Sequence, residues 1–369
     1  MSNWVEQMEG SRRAAAVIAP VLRSLFPGDS GQRLVVYAEG EAKSDIELST
    51  SDYTSVEELY AELEKSAATE KNVTSILVKG VGRFVFANAG TNADNKRMSG
   101  KISLVTGGAQ GFGEGIAREL AAFGAQIVIA DLNLELAEQV AASISEQYGE
   151  NAAFALPVNV GDEDSVRDLM EGIVLRCGGI DLIVSNAGVL KAGGLEEMTL
   201  KAFEFVTRIN YTAFFLVTKY GSRSMKLQAQ FDKSYTSDIV QINSKSGLEG
   251  SNRNFAYAGS KFGGIGLVQS FAKELVENGI KVNAICPGNY YEGPLWSDPE
   301  KGLFVQYLEA GKVPGAQTVE DVYDFYVSKV PMHRGCSPLD VTRAIMYCVE
   351  QQNETGQAIP VTGGQTMLK

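Results

Sequence analysis

From residue 101 to residue 361 the chain alternates short apolar runs with helix-length segments. Residues 102–106, 126–131, 156–160, 181–185, 239–242, 281–285 and 357–361 read as strands. Helical patterns lie between them, running to Phe123, over 163–175, around Asn210, onward from about Ala256 and over 338–350. A strand followed by a helix before the next strand has to cross over and pair in parallel. The alternation therefore predicts an α/β fold with a doubly wound parallel sheet, whose ligands lie beyond the carboxyl ends of the strands. Residues 290–335 break the pattern as a long irregular and helical excursion, a candidate substrate lid.

The residues at those strand ends carry the chemistry. The first strand runs into Gly107-Gly108-Ala109-Gln110-Gly111-Phe112-Gly113 and then a helix. Glycines at 107, 111 and 113 let backbone approach a pyrophosphate at the helix N-terminus, where free amides and the dipole favour an anion. Alone, such a turn is weak evidence. Asp131 ends the second strand about 20 residues further on, where an acid binds the ribose hydroxyls of NAD and repels the extra phosphate of NADP. No basic residue stands at 110 or 132 to reverse that, so NAD is the expected cofactor. The plain alternative for Asp131 is a helix N-cap.

The stretch 239–275 is the most informative. It reads as a buried strand ending near Ser244, a loop with glycines at 247 and 250, and a helix carrying Tyr257 and Lys261. Four residues apart, those two share a helix face. A free tyrosine, with a pKa of about 10, is too weak a base at neutral pH. A neighbouring ammonium lowers that value, and a serine hydroxyl can hold a substrate oxygen while the tyrosine gives or takes its proton. A Tyr-x-x-x-Lys pair by itself is common on amphipathic helices. Its weight comes from what precedes it: the glycine turn, the acidic strand end, Asn186-Ala187-Gly188, and Asn210 in an apolar run. A buried Asn needs partners, and a satisfied core hydrogen bond is the plain reading of Asn210.

In this order, with thirteen residues from Ser244 to Tyr257 and Pro287-Gly288 after the sixth strand, residues 99–369 resemble a short-chain dehydrogenase/reductase with a Rossmann fold. The resemblance implies a catalytic set of Asn210, Ser244, Tyr257 and Lys261, with Asn210 holding a water that links Lys261 to solvent. It implies an NAD site built from Gly107, Gln110, Gly111, Phe112, Gly113, Asp131, Leu132, Asn159, Val160, Asn186, Ala187 and Gly188. Tyr257, Lys261, Pro287, Gly288 and Asn289 complete that site, and a homo-oligomer, tetramer or dimer, is implied too. Two departures stand out. Asn159 replaces an aspartate near adenine, and no threonine follows Pro287-Gly288, leaving Asn289 or a backbone group to meet the carboxamide.

A narrower likeness lies in residues 241–247, 261–264, 288–289, 329–331, 334–336 and 361–365, which are similar to bacterial sorbitol-6-phosphate 2-dehydrogenases. It implies NAD-dependent interconversion of sorbitol 6-phosphate and fructose 6-phosphate. A sugar phosphate needs cations at the pocket mouth, and Lys245, Lys191 and Arg253 are the candidates. Each has the plain alternative of a solvated surface charge. The competing readings are a dehydrogenase of another polyol, sugar or 3-oxoacyl substrate, and a non-catalytic NAD-binding scaffold. The complete Asn-Ser-Tyr-Lys set argues against the scaffold.

Residues 1–98 do not follow the pattern and usually have no counterpart in such enzymes. A helix over 14–26, a strand over 34–37, a helix over 55–65 with Ser55 and Glu58 in capping-box spacing, and two strands within 74–87 make a small α/β extension. Residues 91–96 read as its linker. The run 77–90 faintly resembles the end of class II sugar-phosphate aldolases but lacks their histidine cluster, so a packing or assembly role is the default.

A net charge of −12 argues against a nucleic-acid partner. With one histidine, His333, and four unpatterned cysteines, neither a zinc site nor a disulfide framework is expected. No apolar run is long enough to span a membrane and residues 1–13 lack the apolar core of a signal peptide, so the expectation is a cytoplasmic protein.

Overall fold

The computed structural model describes residues 4–28, 33–88, 91–94, 96–309 and 311–367. The chain opens with helices α1 (Trp4–Gln7) and α2 (Ser11–Leu25), then β1 (Leu34–Ala38), β2 (Ile46–Ser49), α3 (Val56–Thr69), β3 (Ser75–Lys79) and β4 (Gly82–Ala87). These strands form one mixed sheet in the order β1-β4-β3-β2, parallel only between β2 and β3. The sequence pattern missed β2, a four-residue edge strand without a fully buried side. Ser55 caps α3 by accepting from the Glu58 amide at 3.4 Å, while the Glu58 carboxylate reaches back one residue further, to the Thr54 amide.

A second sheet holds seven parallel strands. Its elements are β5 (Ile102–Thr106), α4 (Gly111–Ala122), β6 (Gln126–Asp131), α5 (Leu134–Tyr148), β7 (Ala153–Pro157), α6 (Glu163–Cys177) and β8 (Leu182–Ser185). There follow α7 (Leu200–Thr207), a π-helical turn (Arg208–Thr212), α8 (Ala213–Phe231), β9 (Ser237–Ile242), α9 (Phe255–Leu275) and β10 (Ile280–Pro287). The excursion carries α10 (Pro294–Ser297), α11 (Leu303–Glu309) and α12 (Val319–Ser328), before α13 (Pro338–Glu350) and β11 (Ala358–Val361) close the sheet. The order β11-β10-β9-β8-β5-β6-β7 confirms the doubly wound arrangement. From β5 the chain winds outward through β6 and β7, then returns to β8 on the other side of β5. The winding reverses between β5 and β8, and that is where a crevice opens at the carboxyl ends.

Each face of this sheet buries its own core. One gathers α6, α8 and α9 around Leu169, Phe214 and Val268; the other gathers α4, α5 and α13 around Ile116, Ile144 and Ile345. The third strand lies earlier than the sequence suggested, at 153–157 rather than 156–160. Pro157, paired opposite Asp131, has no N–H to continue the ladder, so Asn159 and Val160 fall in the following loop.

The amino-terminal part is joined to the sheet domain through the interior. Its core of Ile18, Leu22, Leu59, Leu63 and Phe84 includes Val174 and Leu175 of α6 and packs on Leu227 and Phe231 of α8. Arg23 of α2, fully buried, donates from Nη1 to Asp181 Oδ1 at 3.0 Å and from Nη2 to Oδ2 at 2.8 Å, just before β8. Asp181 also accepts the Ile102 amide at the start of β5, 2.7 Å away. The polar stretch after β4 is pinned as well, with the Asn92 amide donating to Tyr148 O and the Thr91 hydroxyl to Gly124 O; Asn95 lies outside the described residues. The excursion has a core of its own, an aromatic group of Tyr291, Trp296 and Phe304 around Val322 and Val330.

Candidate active site

The glycine turn sits at the crevice. Gly107 has φ +63°, and a Cβ on Gly113 would stand 2.0 Å from Gly107 O, so the first helical turn of α4 closes against the strand exit only without side chains. Asn186 braces the same turn from β8 by donating to Thr106 O and Gly107 O, both at 3.0 Å. The Thr106 hydroxyl accepts the amides of Asn186 and Ala187 in return. Gly111 begins α4 at φ +60°, after Gln110 at the N-cap position, and the Phe112 ring packs on Tyr290 of the excursion at 5.0 Å.

Asp131 ends β6 beside this turn. Its carboxylate accepts the Ala109 amide at 3.1 Å and the Asn133 amide at 3.0 Å. The N-cap of α5 is Asn133, which accepts the Leu136 amide, so the capping alternative for Asp131 falls. Leu132 is exposed beyond it. Asn159 is exposed, and its amide oxygen already accepts the Gly161 amide at 3.1 Å; Val160 is buried. The side-chain-free glycine turn, the first amides of α4 and an acid at the end of β6 fit a dinucleotide: pyrophosphate at the turn, ribose at Asp131.

Ser244, Tyr257 and Lys261 come together across the crevice. Ser244 hydrogen-bonds the Tyr257 hydroxyl, an interaction that favours the phenolate, but burial is the stronger influence and holds the Tyr257 pKa above its ordinary value. Lys261 is buried, donates to Ile242 O at 2.9 Å and lies 5.6 Å from the Tyr257 ring centre. Burial lowers its own pKa to about 8. The expected lowering of the tyrosine pKa is thus not what the structure gives: burial raises it, and the opposing influence is the Ser244 hydrogen bond.

Asn210 lies in the π-helical turn rather than in a plain helix. Its amide exchanges bonds with the Val189 backbone at 2.8 and 2.9 Å and donates to Ser260 Oγ at 3.2 Å, which ties the Asn186-Ala187-Gly188 exit to α9. Pro287 ends β10, the Gly288 amide donates to Val361 O, and Asn289 turns away: its side chain donates to the Tyr291 hydroxyl at 3.2 Å. Of the three candidate cations, Arg253 is committed to Glu197, with a 2.6 Å bond to Oε2, so its charge is compensated. Lys191 is exposed on the loop after β8. Lys245, half-buried directly after Ser244, donates to Gln365 Oε1 at 3.3 Å.

Sequence reasoning missed Asn243, whose amide donates to Lys261 O at 2.9 Å and Gln241 Oε1 at 2.8 Å while its oxygen accepts the Ser244 amide. A pair of amide side chains at the end of an otherwise apolar strand was the available signal. Among the described residues no group of three or more His, Cys, Asp or Glu could hold a metal ion.

The comparisons with known proteins bear on the family and the fold. A family model described as short chain dehydrogenase matches residues 101–296. The sorbitol-6-phosphate 2-dehydrogenase of Escherichia coli (strain K12) is 34% identical over 271 residues, covering 73% of this chain and 99% of that protein. A 3-oxoacyl-[acyl-carrier-protein] reductase of Aquifex aeolicus (strain VF5) is 32% identical over 73% of this chain and 98% of its own. The crystal structure of a sorbitol-6-phosphate 2-dehydrogenase from Erwinia amylovora superposes with a TM-score of 0.65 at 36% identity, covering 72% of this chain and all of the other. With a glycine turn and acid that fit a nicotinamide dinucleotide and a Ser-Tyr-Lys set at the sheet's reversal point, the chain belongs to the short-chain dehydrogenase family, oxidoreductases acting on CH–OH groups.

Proposed function

We propose that the protein interconverts sorbitol 6-phosphate and fructose 6-phosphate with NAD as cofactor. The observation that carries this reading is Lys245, a half-buried cation one residue beyond Ser244, in a protein similar to two sorbitol-6-phosphate dehydrogenases. Asp131 supports NAD over NADP through repulsion of a 2′-phosphate. The glycine turn, Asp131 and Lys261 would hold the dinucleotide, which would supply or accept the hydride at the sugar's C2.

Ser244 holds the oxygen on that carbon. Tyr257, whose pKa burial holds above its ordinary value, donates to the ketose oxygen as the alcohol forms and takes the proton back in the reverse direction. Lys261, with a pKa near 8, is matched to passing that proton on, and Asn210 fixes the Val189 and Ser260 contacts that hold α9 in place.

The reading extends to the whole molecule. Residues 1–98 form a structural extension on the catalytic domain of residues 99–369. The protein assembles as a homo-oligomer, its exposed Phe205, Phe215 and Phe262 supplying apolar surface on α7, α8 and α9. It works in the reducing cytoplasm, its four cysteines free and buried. Among the described residues no helix is long and apolar enough to cross a membrane.

Likeness to a 3-oxoacyl reductase favours one second reading, the same machinery on an acyl substrate. Product analysis separates the two: incubation with NADH and fructose 6-phosphate yields sorbitol 6-phosphate. NADH consumption with a 3-oxoacyl thioester and not with the sugar phosphate would replace the first reading by the second.

A further inference from the structure

Three segments far apart in sequence meet beside Ser244. The first is the 3-10 turn Lys245–Gly247, which starts at the residue after that serine. The second is the loop after β11, where Gly363 and Gly364 have φ +61° and +87°. The third is the end of α12, Lys329-Val330-Pro331. The glycine loop lies directly on the third segment: a Cβ on Gly363 would stand 2.8 Å from Val330 Cγ1, and one on Gly364 would stand 3.2 Å from Pro331. The Met332 amide donates to Gly363 O at 3.1 Å and fastens the two together. Gln365 then reaches the first segment, taking the Lys245 ammonium on Oε1 and lying 3.5 Å from where a Cβ on Gly288 would be. The loop therefore sits over the end of β10 and holds Lys245 and Lys329 on one side of the site.

Neither lysine is in a salt bridge among the described residues, although the charge of Glu249 reaches Lys245. Among the described residues no carboxylate lies within ion-pair distance of Lys245 or of Lys329, although acids outnumber bases 45 to 33. The Lys329 ammonium instead rests over the Phe325 ring, 3.8 Å from its centre. Burial pulls the Lys245 pKa below the ordinary lysine value; Glu249 opposes this and the charge of Lys329 adds to it, which places the two cations within electrostatic reach of each other.

We infer that Lys245 and Lys329, set in register by Gln365, form the subsite for a phosphate monoester dianion at the far end of the substrate. Two cations without salt-bridge partners beside Ser244 repel each other, and a dianion lying between them relieves that repulsion. A neutral polyol or ketone gives no such return. The inference rests on the reading of the substrate as a sugar phosphate and replaces Arg253 and Lys191 as the phosphate ligands. It also gives the excursion a task, since α12 delivers one of the two charges.

The test compares the wild type with Lys329→Gln, Lys245→Gln and, as a charge control on the same excursion, exposed Lys312→Gln. NADH oxidation is followed with fructose 6-phosphate and with fructose. Binding of inorganic phosphate to the NADH-bound enzyme is measured by calorimetry. The ratio of kcat/KM for fructose 6-phosphate to that for fructose is expected to fall at least tenfold in Lys329→Gln and in Lys245→Gln, mainly through KM, and phosphate binding to weaken in parallel. Lys312→Gln keeps the wild-type ratio. An unchanged ratio in Lys329→Gln, or an equal fall in Lys312→Gln, overturns the subsite. If the wild type ignores fructose 6-phosphate, the substrate reading fails, and phosphate binding alone decides: loss in both site variants upholds the subsite, and retention overturns it.

Discussion

Buried charges at the two ends of the central strands are handled in opposite ways. At the amino ends of β8 and β9, Asp181 is paired with Arg23, and Asp238 with Lys281 at 3.1 Å. At the carboxyl end of β9, Lys261 is equally buried, yet among the described residues it has no carboxylate partner and donates to a backbone carbonyl. Paired charges lock structure, because removing one partner strands the other in a medium that cannot solvate it. Lys261, without such a partner, is pulled down by burial to about 8, near the range where a group can pass a proton on; burial shifts the paired Asp238 too, up to about 6, but at the end of the sheet away from the crevice. One end of the sheet holds the molecule together, and the proposed chemistry lies at the other.

The largest expected effect lies at the chemical end. Tyr257→Phe keeps the ring and removes the transferable proton, so kcat should fall by about 10²–10⁴ while NADH affinity changes little. Steady-state rates with NADH fluorescence titration check this. Loss of NADH binding in step with activity would mean that Tyr257 builds the cofactor site rather than moving a proton.

At the structural end Asp238 gives a pH signature. Burial pushes its pKa up to about 6 from an ordinary 3.8, so between those values the folded chain holds a proton that the unfolded chain has released. Its stabilising contribution is therefore complete below pH 3.8 and is lost as pH rises through 6, a change on the order of 3 kcal/mol. Asp238→Asn removes that slope. Urea unfolding midpoints of the two proteins should diverge between pH 4 and 7, with the wild type losing ground as pH rises, and parallel curves would remove Asp238 from the account of stability.

The sequence showed one end of the sheet far better than the other, and the reason is range. Tyr257 and Lys261 sit one turn apart on α9, and Gly107 to Gly113 are a single turn, so short spacings carry their geometry. Arg23 meets Asp181 across 158 positions, and nothing in the helix 11–25 distinguishes that arginine from Arg12 or Arg13. Lys329 and Gln365 were visible as parts of motifs, but only the folded chain shows that both adjoin Lys245. The misplaced third strand has a local cause, since an apolar run containing Pro157 looks like a strand whether the proline ends it or lies inside it.

A smaller effect sharpens the chemical end. Asp131→Ser keeps a hydroxyl near the ribose and removes the charge, so the preference for NADH over NADPH, as a ratio of kcat/KM, should narrow by about tenfold, or about 1.4 kcal/mol. An unchanged ratio would show that Asp131 serves only the Ala109 and Asn133 amides.

The contrast between the two ends is tested most directly by measuring thermal stability and turnover together for Arg23→Met and Lys261→Met. Arg23→Met leaves Asp181 buried and alone; it should cost about 3–5 kcal/mol, a drop in Tm of about 10 °C, and leave turnover per folded molecule near the wild-type value. Lys261→Met removes a charge that burial already disfavours; Tm should move far less while turnover is lost. Equal losses of stability in both variants, or turnover surviving in Lys261→Met, would contradict the assignment of structure to one end of the sheet and chemistry to the other.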